Sequence, residues 1–112
     1  MILDDTDINA GLIQVNADKA AGFLKGMASS HRLLILCHML GGRKSVTDLI
    51  KETGIAQTSM SQHLKKMREE GLVDYQRDHR TFYYFIKNKA VVDILNILYQ
   101  EFCSDTGEKD HV

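Results

Sequence analysis

The chain has 112 residues, 44% hydrophobic and 26% charged, an ordinary globular composition that excludes a disordered or collagen-like polymer and fits one compact domain. Its apolar runs are far shorter than the roughly 20 residues of a membrane span, and its start, Met1 to Asp7, is acidic where a secretory signal is basic and then apolar. The net charge of −1 hides an asymmetry: ten Lys/Arg face six acids between Arg43 and Lys89, whereas the remainder carries four against nine. A basic middle between acidic ends suits a polyanion-facing surface, although clustering on a solvated surface gives the same count. Two cysteines cannot build a disulfide scaffold, and the expected address is the cytoplasm, where thiols stay reduced.

In chain order, residues 1–7 are predicted to be a flexible acidic terminus. From Ile8 to Met27, Leu12, Val15, Ala20, Phe23, Leu24 and Met27 recur at helical spacing. Ser29 or Ser30 can cap a second helix running through Leu40 to the stop at Gly41-Gly42. Ser45 is an N-cap for a short third helix that ends at Gly54, and a fourth runs from Gln57 to Glu70 before Gly71. The period then falls from 3.6 to 2: Val73 to Arg77 and Thr81 to Ile86 read as strands joined through Asp78-His79-Arg80. Asn88 caps a last helix from Lys89 to Cys103, and 104–112 is a polar tail expected to be flexible. The predicted fold is mainly α with a small β-hairpin, in the order α-α-α-α-β-β-α. A short helix, a tight turn and a longer helix make a helix-turn-helix, and the hairpin after it makes a winged one, with the domain spanning 8–103.

At 100° per residue, Met60, Leu64 and Met67 form one stripe of the fourth helix, predicted to be buried. The opposite side carries Thr58, Gln62, Lys65, Lys66 and Glu69, with Gln57 at its start and Ser59 and Ser61 at its margins. Small hydroxyls and amides followed by lysines suit a helix in a major groove, where they reach base edges and phosphates. A solvated helix face is also polar; the preceding turn and following hairpin favour double-stranded DNA. His63 joins this candidate set, although its place near the apolar stripe also fits a packed residue. Arg77, Arg80 and Lys87 bracket the hairpin and are assigned to phosphate or minor-groove contact.

The last helix is apolar round more than half its circumference, and the first has a surplus in Leu12, Ile13 and Val15. One face of each covers the core; the rest needs a partner, which a two-fold homodimer through the first and last helices supplies. Such a dimer presents two reading helices to successive major grooves of a near-palindromic site, about 34 Å apart.

The residues resemble the ArsR/SmtB family of winged-helix transcriptional regulators from about Ala17 to Cys103. The resemblance rests on Phe23 to Ala28, on His31 to Cys37, and above all on Ser61-Gln62-His63-Leu64 followed by Glu70-Gly71-Leu72-Val73. It implies a dimeric operator-binding regulator and no enzyme. The sequence departs from the family at Ala56, where a hydroxyl cap is common, and in the hairpin turn, where many members have glycine.

Family resemblance also raises metal sensing. Thiolate sensors carry Cys-x-Cys in the third helix, where this chain has Ser45-Val46-Thr47-Asp48-Leu49, and zinc-type members need a His that Asp93-Ile94-Leu95 lacks. No metal or cofactor is expected. By their chemistry alone, Cys37 is either a packed small side chain or a reactive thiol, and Cys103 either incidental or functional. Their places in the second and last helices resemble the dithiol branch of the family. That resemblance implies a Cys37–Cys103 switch, with reactive sulfur species or an oxidant as inducer and DNA released on bridging. The alternative is a thiol-insensitive or metal-responsive regulator with structural cysteines. His31, Arg32 and His38 are candidates to lower the pKa of Cys37.

Overall fold

The computed structural model describes residues 10–103. The predicted ends 1–7 and 104–112, residues 8 and 9, and the side chains of Leu12, Ile13 and Val15 lie outside the described residues. The elements are α1 (Ala10–Met27), α2 (Ser30–His38), β1 (Lys44–Ser45), α3 (Val46–Thr53), α4 (Gln57–Glu69), β2 (Val73–Asp78), β3 (Thr81–Ile86) and α5 (Lys89–Phe102). The predicted order holds, with one addition, the two-residue β1.

Local chemistry sets the boundaries. The Ser29 hydroxyl accepts the Arg32 N–H at 3.0 Å and starts α2, which ends at His38, two residues before the predicted stop. At α3 a reciprocal capping box forms: the Asp48 N–H donates to Ser45 Oγ at 3.0 Å and the Ser45 N–H to Asp48 Oδ2 at 3.2 Å. Hydrogen bonds from Ser45, its backbone N–H first and its side chain second, hold the Asp48 carboxyl below the usual carboxylate range. Gly54, at φ 77°, closes α3 in the left-handed conformation glycine adopts freely. Ala56 precedes α4 with no side-chain cap. At the other end of α4 the Leu72 N–H donates to Met67 O and the Gly71 N–H to Arg68 O, the Schellman pattern that turns the chain into β2.

The sheet is antiparallel in the order β1-β3-β2, with Tyr75 opposite Tyr84, Asp78 opposite Thr81, and Lys44 opposite Tyr84 on the far edge. The missing glycine in the hairpin turn is answered by His79, which takes φ 60° itself. Histidine is among the residues that tolerate this region. The Arg77 Nε–H donates to the His79 carbonyl at 2.9 Å and His79 Nδ1 lies 2.8 Å from Asp78 Oδ1, so the tip is held by its own side chains.

The core gathers Ile35 and Leu36 of α2, Leu49 of α3, Met60, Leu64 and Met67 of α4, Leu72 and Val73, and Val91 and Leu95 of α5, all nearly inaccessible. The predicted stripe of α4 is thus its buried face. Removing most of Leu64, which is 1% exposed, leaves a void in the hydrophobic core. Leu64→Ala is expected to cost about 2–5 kcal/mol, read as a lowered midpoint of chemical unfolding. Among its described side chains, α1 joins this core through Phe23 and Met27, whereas Ala20 and Leu24 of its predicted apolar stripe are exposed.

Candidate nucleic-acid interface and dithiol

With Met60, Leu64 and Met67 inward, α4 turns Gln57, Thr58, Ser61, Gln62, Lys65 and Lys66 to solvent. Ser59 is half-buried. His63 is also half-buried and faces α2: its Nδ1 accepts the Arg32 Nε–H at 3.3 Å, and its ring meets His31 edge-on at 5.6 Å. Among the candidates on α4 it is therefore the one engaged inside the fold. The hydroxyls, amides and two lysines that remain outward make a row of hydrogen-bond donors and acceptors followed by positive charge.

The hairpin is fixed to the end of α4. Arg68 donates to Asp74 Oδ1 at 2.9 Å while its guanidinium lies 4.3 Å from the Tyr75 ring centroid. That ion pair lowers Asp74 below the usual carboxylate range. On β2 and its tip, Arg77 and Arg80 are exposed, as is Lys87 after β3, and the Arg77 guanidinium lies 5.7 Å from the Phe82 ring centroid. Arg43 was not singled out for this surface by the sequence. It stands 4.4 Å over the Tyr83 ring and donates to Gln76 Oε1 at 3.0 Å. Only the pairing of β1 with β3, invisible as a period over two residues, brings it to the wing.

Cys37 and Cys103 are both free and exposed, so the reading of Cys37 as a packed core side chain does not hold. They lie on α2 and at the end of α5, helices in direct contact. Partial burial pushes the Cys37 thiol up, and the charge of a Cys103 thiolate pushes it the same way, so the two sulfurs are electrostatic neighbours. The expectation that His31, Arg32 and His38 activate Cys37 is corrected. Arg32 is directed to Gly26 O, Glu70 and His63, and His38 Nδ1 sits 3.1 Å from Glu52 Oε1, itself bound to Lys44 Nζ at 2.9 Å. Among the described residues no group of three His, Cys, Asp or Glu side chains gathers as a metal site, and no helix is long and apolar enough to cross a membrane.

A helix-turn-helix with an outward polar recognition face and a basic wing packed on its end is the architecture of the winged-helix transcriptional regulators. The chain belongs to the arsR family of bacterial regulatory proteins, whose pattern matches residues 29–75. It is 44% identical over 92 residues to the HTH-type transcriptional regulator YgaV of Escherichia coli, covering 81% of this chain and 93% of the relative. The fold is similar to that of reduced HlyU from Vibrio cholerae, with TM-score 0.78 and 33% identity over 82% of this chain and 97% of that one. It is also similar to the transcriptional repressor BigR from Xylella fastidiosa, with TM-score 0.79 and 28% identity over 88% and 100% of the two chains.

Proposed function

We propose that the chain is a cytoplasmic, homodimeric repressor that binds a near-palindromic operator when reduced and releases it when Cys37 and Cys103 are bridged. The inducer is a reactive sulfur species or an oxidant. The observation that carries this reading is the placement of two exposed thiols, remote in sequence, on contacting helices, with the Cys103 charge among the causes that raise the Cys37 thiol. The likeness to a repressor and to a protein solved in a form described as reduced supports it.

In the bridging step one thiolate attacks a sulfur of a disulfide or polysulfide donor, displaces a thiol or hydrosulfide, and leaves a mixed disulfide. The second thiolate displaces the remaining donor group. Two protein thiols lose two electrons, and the donor, having gained them, departs as two reduced sulfur species; sulfane donors can leave extra sulfur in the bridge. Because burial disfavours its ionised form, Cys37 is assigned the second attack and Cys103, at the open end of α5, the first. A direct disulfide needs Cα atoms within about 7 Å, a limit that extra sulfur relaxes. Recognition uses Gln57, Thr58, Ser59, Ser61 and Gln62 at the start of α4 toward bases, and Lys65, Lys66, Arg77 and Arg80 toward phosphate.

The test is a gel shift on palindromic duplex, at several salt concentrations, of protein left reduced or treated with polysulfide, an organic disulfide or peroxide. The reduced form is expected to bind with an affinity that falls steeply with salt, as phosphate contacts require. At least one treatment must release the DNA reversibly. Binding unaffected by every treatment leaves a thiol-insensitive regulator; no binding in any condition removes the DNA reading altogether.

A further inference from the structure

We propose that Arg32 is a positioning residue for DNA binding: through a hydrogen bond to neutral His63 it fixes the recognition helix against the end of α1. The proposal rests on the reading of α4 as the DNA-contacting helix. Arg32 enters at the start of α2, and its side chain is only 17% exposed. Its Nη1 donates to the carbonyl of Gly26 in the last turn of α1 at 2.9 Å and lies 3.5 Å from Glu70 Oε1, at the C-terminal cap of α4. Its Nε donates to His63 Nδ1 in the body of α4 at 3.3 Å. One planar guanidinium thus ties α1 and α4 to α2, a geometry that the point-like ammonium of lysine does not reproduce.

The packing at this junction is close. A Cβ on buried Gly26 would stand 2.6 Å from Glu70 Oε1 and 3.0 Å from Leu72 Cδ1, so these two side chains pack against the bare face of Gly26. The core holds one face of α4, whereas the Arg32 junction decides where its outer residues stand relative to α1.

The bond to His63 requires the neutral ring with its proton on Nε2; a protonated Nδ1 donates and cannot accept. The groups around His63 are Arg32 and His31 from α2, Lys25 from α1 and Glu70 from the end of α4. Protonation adds a positive charge beside Arg32, and among the described residues the carboxylate beside it, Glu70, is already shared with Arg32. Burial first, then Arg32 and His31, hold the His63 pKa below its ordinary value, so the bond is intact at neutral pH and breaks as pH falls through that lowered value.

The sign of the effect separates this role from a direct one. Positive charge gained in acid strengthens binding to a polyanion. A His63 touching DNA would strengthen it further. A positioning bond lost in acid weakens it.

The experiment measures the affinity of the reduced full chain for a palindromic duplex from pH 8 to pH 5.5 at constant ionic strength, with thermal unfolding recorded alongside. The wild type is expected to lose affinity toward pH 5.5. His63→Gln, whose amide oxygen accepts at every pH, is expected to lose this acid fall whatever its affinity at pH 8. Arg32→Lys is expected to bind at least tenfold more weakly at pH 8, with a profile that does not fall in acid. Wild-type affinity that holds or rises in acid, or a His63→Gln profile that falls like the wild type's, overturns the proposal while leaving the DNA reading intact. Absence of any salt-sensitive binding by the wild type at pH 8 overturns both.

Discussion

Ile97→Asp is expected to convert the proposed dimer to a monomer and to weaken operator binding by about 100-fold or more, equivalent to roughly 2.7 kcal/mol. In α5, Val91 and Leu95 are buried against the core, whereas Ile97 lies about 160° round the helix from Leu95 and is 64% exposed. Phe102 at 79% and Leu24 of α1 at 53% extend the same problem of large apolar side chains without cover. Isolated exposed apolar residues are unremarkable, but several on the first and last helices support the interface proposed for the dimer. A carboxylate at Ile97 would be desolvated there without a partner, at a cost that a dimer of ordinary size cannot absorb. Because Ile97 faces away from the core, the protomer itself is expected to keep its unfolding midpoint. Sedimentation velocity and a gel shift on whole and half operators check both parts: the variant sediments as a monomer and no longer distinguishes the two-site duplex from the half-site.

The second large effect belongs to the thiols. In Cys37→Ser and, separately, Cys103→Ser, polysulfide or disulfide treatment is expected to leave operator affinity unchanged, whereas the wild type loses at least about tenfold, or 1.4 kcal/mol. Either substitution permits one attack and forbids the second, so the chain stops at a mixed disulfide or persulfide and α2 is never tied to α5. Since α5 also carries the apolar face assigned to the dimer, that tie alters the separation of the two recognition helices, which is what DNA reads. The upward shift at Cys37 has a kinetic consequence. Its thiolate fraction near neutrality is smaller than that of an ordinary cysteine, so bridge closure is expected to accelerate with pH and to keep rising beyond the ordinary thiol range. A closure rate that levels off by pH 7 would reverse the assigned order of attack.

Much of the fold was legible because its determinants are local. Met60, Leu64 and Met67 repeat with the helical period, Ser29, Ser45 and Asn88 cap the helices they precede, and the β-branched and aromatic run of β3 announces its strand. What stayed hidden depends on contacts between distant segments. β1 exists only because Lys44 and Ser45 pair with Tyr84 and Tyr83, and that pairing alone carries Arg43 to the wing. The hairpin turn could not be read either, since His79 substitutes its own tolerance of positive φ for the glycine the pattern wanted. At the site, the outward residues of α4 followed from the position of the apolar stripe. The surroundings of Cys37 did not: sequence neighbours on a helix diverge by about 100°, and Arg32 and His38 find partners in other elements.

The central claim is that a covalent bridge between Cys37 and Cys103 and the loss of operator binding are one event. The most direct measurement treats reduced protein with a limiting amount of polysulfide and adds operator duplex. Free and DNA-bound protein are then separated, and the intact mass in each fraction is recorded without reductant. Protomers that have lost two hydrogens, with or without added sulfur, and whose two cysteines are joined are predicted in the free fraction, and unmodified protomers in the bound one. Bridged protomers recovered on DNA, or free protein whose thiols are untouched, would contradict the account.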